Sequence, residues 1–154
     1  LIATSGLQSD QLWAIRQAIP EAQKHEGGSI KHDVSVPVSS VVEFLTKASD
    51  LVKAALPGVR VCAFGHAGDG NIHFNLSQPL GADTEVYLEN WAAINRIIHD
   101  LVVGMGGSFS AEHGIGQLKR RDLNRYKSDV EMDMMRTVKK ALDPSNIMNP
   151  GKII

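Results

Sequence analysis

The chain has 154 residues, the size of one ordinary domain, with 43% apolar and 21% charged residues and a formal net charge of −1. This balance supports a real core, excludes a disordered tail, and gives no general electrostatic attraction to nucleic acid or anionic lipid. No apolar run approaches the roughly 20 residues of a membrane span, and no signal peptide is visible. The chain opens Leu1-Ile2-Ala3 without a Met, which implies a longer parent polypeptide. Cys62 is the single cysteine, so no internal disulfide can form. It falls in the apolar run 59–64 and reads as a buried, inert thiol in a reducing compartment, the cytoplasm or the mitochondrial matrix.

The spacing of Leu12, Ile15, Ile19 and Ala22 predicts a helix over 9–24, capped by Ser9 and kinked or stopped by Pro20. Glu26-Gly27-Gly28 breaks the chain. Over 30–36 the residues alternate, with Ile30, His32, Val34 and Val36 on one face and Lys31, Asp33 and Ser35 on the other, as in a half-buried strand ended by Pro37. Ser39 or Ser40 caps a helix to about Leu56, with Val42, Leu45, Ala48, Leu51, Val52 and Ala55 turned inward. Val59 to His66 and Asn71 to Ser77 read as a β-hairpin about Gly68-Asp69-Gly70. Asp83 caps a long helix to about Met105, ended by Gly104, Gly106 and Gly107. A short strand over 108–112, a helix over 120–125 and a basic-ended helix over 130–142 complete the chain. Trp13 and Trp91 lie on apolar helical stripes and are expected in the core. With few strands and helices between them, an α+β arrangement of helices on a mostly antiparallel sheet fits best.

Chemistry concentrates in Gly65-His66-Ala67-Gly68-Asp69-Gly70-Asn71-Ile72-His73-Phe74-Asn75. Six residues separate His66 from His73, and a hairpin turn between them lets both imidazoles converge. Two histidines so placed suit a borderline-soft divalent metal, and Asn75 shares the face of His73. The plain alternative is a structural hairpin whose Gly-Asp-Gly only turns the chain. The glycines have neither the spacing nor the following helix of a dinucleotide loop, and the acidic alternation of a calcium loop is absent. In Ser110-Ala111-Glu112-His113-Gly114-Ile115-Gly116, Glu112 would complete a two-histidine, one-carboxylate set with open positions, the composition of a catalytic metal site. His113 would then serve as a general base. The alternative there is a loop carrying a surface Glu and His. Arg16 and Lys31 are basic residues suited to a carboxylate, although nothing local raises them above solvated charges.

At these two stretches the chain resembles the C-terminal domain of the FAD-linked oxidases. This is the vanillyl-alcohol-oxidase-like group that includes D-lactate and D-2-hydroxyglutarate dehydrogenases. Leu12 to Arg16, Lys31 to Pro37, Leu142-Asp143-Pro144 and Asn149-Pro150-Gly151-Lys152 extend the resemblance over nearly the whole chain. It implies a ferredoxin-like α+β cap domain over 1–154 that shapes the substrate site, with the FAD-binding domain on a part of the polypeptide not included here. It also implies His66, His73 and Glu112 as ligands of zinc or a similar ion, and Arg16, Lys31 and Asn75 as substrate-binding residues. His113 would be the catalytic base, and Asn149 would approach the flavin. The implied reaction is oxidation of a small D-2-hydroxy acid to the 2-keto acid, with electrons passing to an acceptor the residues do not identify. The chain carries Pro20 where hydroxyglutarate-type members have a small hydroxyl residue, so a lactate-like acid is equally compatible. Without its flavin domain the chain alone is expected to be inactive and to bind no stoichiometric FAD. A stand-alone metal-dependent hydrolase and a non-enzymatic interaction module are the competing readings, and a homodimer is an open assembly state.

Overall fold

The computed structural model describes residues 2–154, in two units, 2–109 and 110–154. In the first unit, helix α1 (Gly6–Ala22) runs into a single tight turn (Gln23–Glu26) and strand β1 (Ser29–Ser35). Helix α2 (Val41–Ala55), strands β2 (Arg60–His66) and β3 (Asn71–Ser77), and helices α3 (Thr84–Leu88) and α4 (Trp91–Gly104) follow. The strand order is β1-β3-β2, antiparallel throughout. Strands β1 and β2 therefore run parallel to each other on either side of β3, and α2 is the crossover between them. Ser108 and Ser35 exchange backbone hydrogen bonds of 2.8 and 2.9 Å on the outer edge of β1. This bridge stands where a fourth strand would complete a βαββαβ motif. The short strand expected over 108–112 reduces to it.

The period-2 alternation of β1 and β3 sorts their side chains onto two faces. Ile30 and Val34 with Ile72, Phe74 and Leu76 form the core face, covered by Phe44, Ala48 and Val52 of α2 and Ile94, Ile98 and Val102 of α4. The rings of Phe44 and Phe74 meet edge to face at 5.5 Å, a geometry worth about 1 kcal/mol for the pair beyond their burial. His32 is buried on this face, where its Nδ1–H donates to the Phe74 carbonyl at 2.8 Å.

At the end of the sheet remote from the hairpin turn, the carboxamide of buried Gln78 ties three segments together. Its oxygen accepts from the Gly28 amide at 2.6 Å and the Thr84 hydroxyl at 2.8 Å, and its nitrogen donates to Ala82. Arg60 adds bonds to the Gln78 carbonyl and to the carbonyl and carboxylate of Glu26.

Several expectations are corrected. Helix α1 begins earlier, with Ser5 as its cap, and passes through Pro20, losing one backbone bond without stopping. None of its residues is buried, so Leu12 and Ile15 are exposed and Trp13 is 60% exposed. Trp91, at the first position of α4, is 42% exposed and is not core either. Val42 and Leu51 of α2 face outward, because the sheet takes only the stripe Phe44, Ala48 and Val52. The long helix after Asp83 is two helices: Asp83 does cap α3, but the Asn90 side chain donates to the carbonyls of Val86 and Tyr87 and ends it.

The second unit contains α5 (Arg120–Tyr126) and α6 (Asp129–Leu142). Ser128 and Glu131 form a reciprocal capping box at the start of α6. After α6, the Asp143 carboxylate accepts from the amides of Ile147 and Met148, both at 2.9 Å, and pairs with Lys139. These bonds fold the tail back beside the helix end.

Candidate metal and substrate site

The face of the sheet opposite the core carries four rows of three residues, of which the row Ser29, Ser77 and Arg60 lies farthest from the hairpin turn. The register sets Lys31, Asn75 and Cys62 side by side, then Asp33, His73 and Phe64, then Ser35, Asn71 and His66. Directly paired residues of antiparallel strands point the same way with Cβ atoms about 5 Å apart. His73 on the central strand thus has Asp33 on one side and Phe64 on the other. His66 lies on the diagonal from His73, a separation of roughly 7–8 Å between backbones that long side chains bridge.

The hairpin turn is tight for a steric reason. Gly70 has a φ of +74°, and a Cβ there would stand 2.0 Å from the Val36 carbonyl oxygen. The Asp69 carboxylate accepts from the Asn71 amide at 3.0 Å, and the Gly70 carbonyl accepts from the Val36 amide at 3.1 Å. The loop carrying His66 is thereby joined to the end of β1.

Burial across this face is uneven. Asp33, Asn71 and Asn75 are buried, His73 is half-buried, and Lys31 and His66 are exposed. The buried residues are covered in part from α1 and its following turn. The Asn75 amide donates to Gln23 at 2.8 Å, and the Arg16 guanidinium carbon lies 4.6 Å from the centroid of the Phe64 ring. The rings of Phe64 and His73 are 5.2 Å apart. Burial also pushes the Cys62 thiol pKa up, which keeps it protonated and unreactive.

The first unit therefore brings together five residues expected from sequence: Arg16, Lys31, His66, His73 and Asn75. Three more belong to the same face and were not expected: Asp33, Phe64 and Gln23. Asp33 was assigned to a solvated polar face, yet it is only 4% exposed, and its carboxylate and the His73 imidazole offer ligand atoms within 4.8 Å of each other. The sequence signal for Asp33 and Phe64 is their position in the alternation, two residues from Lys31 and His66 respectively. The donors on this face are imidazole nitrogens and a carboxylate, which fit a borderline divalent ion such as zinc.

The second unit holds the remaining three. Glu112 and His113 are exposed in a loop closed by a 2.7 Å bond from the Ser110 hydroxyl to the Gly114 carbonyl, with Gly114 and Gly116 at positive φ. The Ile153 amide donates to the Gly116 carbonyl at 2.9 Å, which seats the tail against this loop. His113 and Asn149 line one cavity of about 850 Å³, walled by apolar side chains such as Met134, Val138 and Leu142 together with the charged Glu131, Lys139, Asp143 and Lys152. Asn149 adopts a left-handed conformation, φ 50°.

The family profile of the FAD linked oxidases, C-terminal domain, matches residues 1–153. The chain belongs to this family. It is similar to a D-2-hydroxyglutarate dehydrogenase of Stutzerimonas stutzeri, with 37% identity over 99% of this chain and 33% of the relative. A D-2-hydroxyglutarate–pyruvate transhydrogenase of Saccharomyces cerevisiae is 34% identical over 100% of this chain and 32% of its own length. A mitochondrial D-2-hydroxyglutarate dehydrogenase of Danio rerio is 33% identical over 99% of this chain and 27% of its own. The chain thus spans about a third or less of the relatives it matches. Among the described residues no helix is long and apolar enough to cross a membrane.

Proposed function

We propose that this chain is the substrate-capping part of an FAD-dependent dehydrogenase that oxidises a D-2-hydroxy acid, with a dicarboxylate such as D-2-hydroxyglutarate as the preferred substrate. The observation that carries this reading is the polar sheet face, where two cationic side chains, Arg16 and Lys31, accompany two imidazoles on adjoining elements. Two cations suit an acid with two carboxylates: Arg16 grips one bidentately, and Lys31 attracts the other as a point charge. The printed names of the relatives agree. Pro20 offers no hydroxyl to the substrate, so recognition falls on Arg16, Lys31 and Asn75.

His66 and His73 supply imidazole ligands, and Glu112 the carboxylate, to a divalent cation, most suitably zinc. A cation held by these residues would supply Lewis-acid chemistry at the substrate hydroxyl. His113 then accepts the hydroxyl proton. A flavin bound chiefly by another part of the polypeptide would supply the acceptor for the C2 hydride, and Asn149 is the residue of this chain that would approach it. Electrons leave to an acceptor outside this chain. A reducing compartment, cytoplasm or mitochondrial matrix, suits the single thiol.

The test is turnover with the flavin-binding region present, comparing D-2-hydroxyglutarate with D-lactate and following bleaching of the flavin. Faster bleaching by the dicarboxylate, slowed in Lys31→Ala, supports the reading. Equal rates with both acids would remove the dicarboxylate preference, and ester hydrolysis by this chain with zinc alone would favour a hydrolase.

A further inference from the structure

Asp33 has no role in the scheme above. It is nevertheless the direct cross-strand partner of His73, and one of its oxygens lies within 4.8 Å of a His73 ring nitrogen. Its neighbours in sequence, His32 and Val34, are buried on the core face, so the alternation of β1 commits Asp33 to the site face. Burying a carboxylate costs several kcal/mol of hydration, and a site that retains one must supply hydrogen-bond donors to it. An imidazole has two nitrogens with opposite duties in a metal site. One offers its lone pair to the cation, and the other keeps its hydrogen and gives it to an acceptor, commonly a carboxylate. That acceptor fixes both the tautomer and the plane of the ring.

We infer that Asp33 is the positioning residue of His73. Its carboxylate accepts the N–H of one imidazole nitrogen and thereby presents the other nitrogen to the cation. On the far side, the Phe64 ring, 5.2 Å from that of His73, limits how far the imidazole can turn. His73 is thus held from both flanks of the central strand. The inference rests on the proposal that His73 binds a divalent cation.

The experiment uses the full chain, metal-free, with ¹⁵N-labelled histidine, and reads the His73 tautomer from long-range proton–nitrogen spectra. One dominant tautomer is expected in the wild type and a mixture in Asp33→Asn, with Asp33→Glu partly restoring the first. Zinc affinity, measured against a chromophoric chelator, should fall about 10–100-fold in Asp33→Asn. A folded Asp33→Asn with unchanged tautomer and unchanged zinc affinity overturns the inference. If that variant does not fold, the wild-type spectrum decides: two comparably populated His73 tautomers overturn it, and a single one upholds it. A wild type with a single tautomer, lost in Asp33→Asn, that binds no zinc would overturn the metal reading while leaving the Asp33–His73 pairing in place.

Discussion

The guanidinium of Arg16 stacks on the ring of Phe64, 4.6 Å from guanidinium carbon to ring centroid, and so fixes the helix α1 cation above the strand that also carries His66. A partly desolvated cation–π contact contributes about 0.5–1 kcal/mol, or roughly a 2–5-fold change in an equilibrium. Replacing Phe64 by Leu keeps apolar bulk but removes the quadrupole. In the flavin-containing enzyme the KM for the dicarboxylate should rise by about that factor, with Phe64→Tyr near wild type. An unchanged KM in Phe64→Leu would show that Arg16 is positioned by something else.

Metal content answers a second question. His73→Ala removes the ligand on the central strand, and about one bound zinc per chain should be lost, as seen by elemental mass spectrometry. His66→Ala should weaken binding as well, and a strong chelator should strip the wild type reversibly. Full retention of metal in both variants would place any ion elsewhere.

Acid should loosen the second unit by a defined route. The Lys127 ammonium, followed by the Ser128 amide and hydroxyl, lowers the Glu131 pKa from 4.5 to about 2. Lys139 foremost, with the Met148 and Ile147 amides, lowers that of Asp143. Both groups bind protons more readily unfolded than folded. Their stabilisation is therefore complete above their unfolded pKa values, near 4–4.5, and is lost as pH falls below them, for Glu131 toward 2. Amide exchange at Ile147 and Met148 should accelerate through this window, and in Asp143→Asn it should already be fast at pH 7. Slow exchange in that variant would deny the carboxylate its role as the tail's anchor.

Gly70→Ala tests the turn. The left-handed backbone costs a non-glycine residue about 1–2 kcal/mol, and a Cβ 2.0 Å from the Val36 oxygen forces a backbone shift of similar cost. A loss of about 2–4 kcal/mol is expected, lowering Tm by roughly 5–15 °C. Gly68 has open space and no positive φ, so Gly68→Ala should be close to neutral.

The strands and their faces were legible because alternation is a local signal: Ile30, His32 and Val34 inward and Lys31 and Ser35 outward is a pattern that any half-buried strand writes into its residues. The hairpin, and with it the placing of His66 and His73 on one face, followed from the same rule. The burial of Asp33 did not, because it depends on what covers the second face, and helix α1, whose Arg16 lies over Phe64 on that face, has its own apolar spacing at Leu12 and Ile15 turned to solvent. The break between α3 and α4 was hidden for a similar reason. The apolar stripe continues across it, and only the reach of the Asn90 side chain back to two carbonyls ends the first helix. The diagonal placement of His66 requires the register, which no single strand records.

His73 and Asn75 sit on β3, which among the described residues is the strand paired along its length on both edges. Strands β1 and β2 are laddered along one side only, apart from the Ser35–Ser108 bridge on β1, but β3 can detach only when two ladders part together. Its amides should therefore be the slowest to exchange in the first unit, opening only with global unfolding. The site's central imidazole consequently keeps its place through ordinary breathing of the sheet, and local motion near the reaction is left to the edge that carries His66.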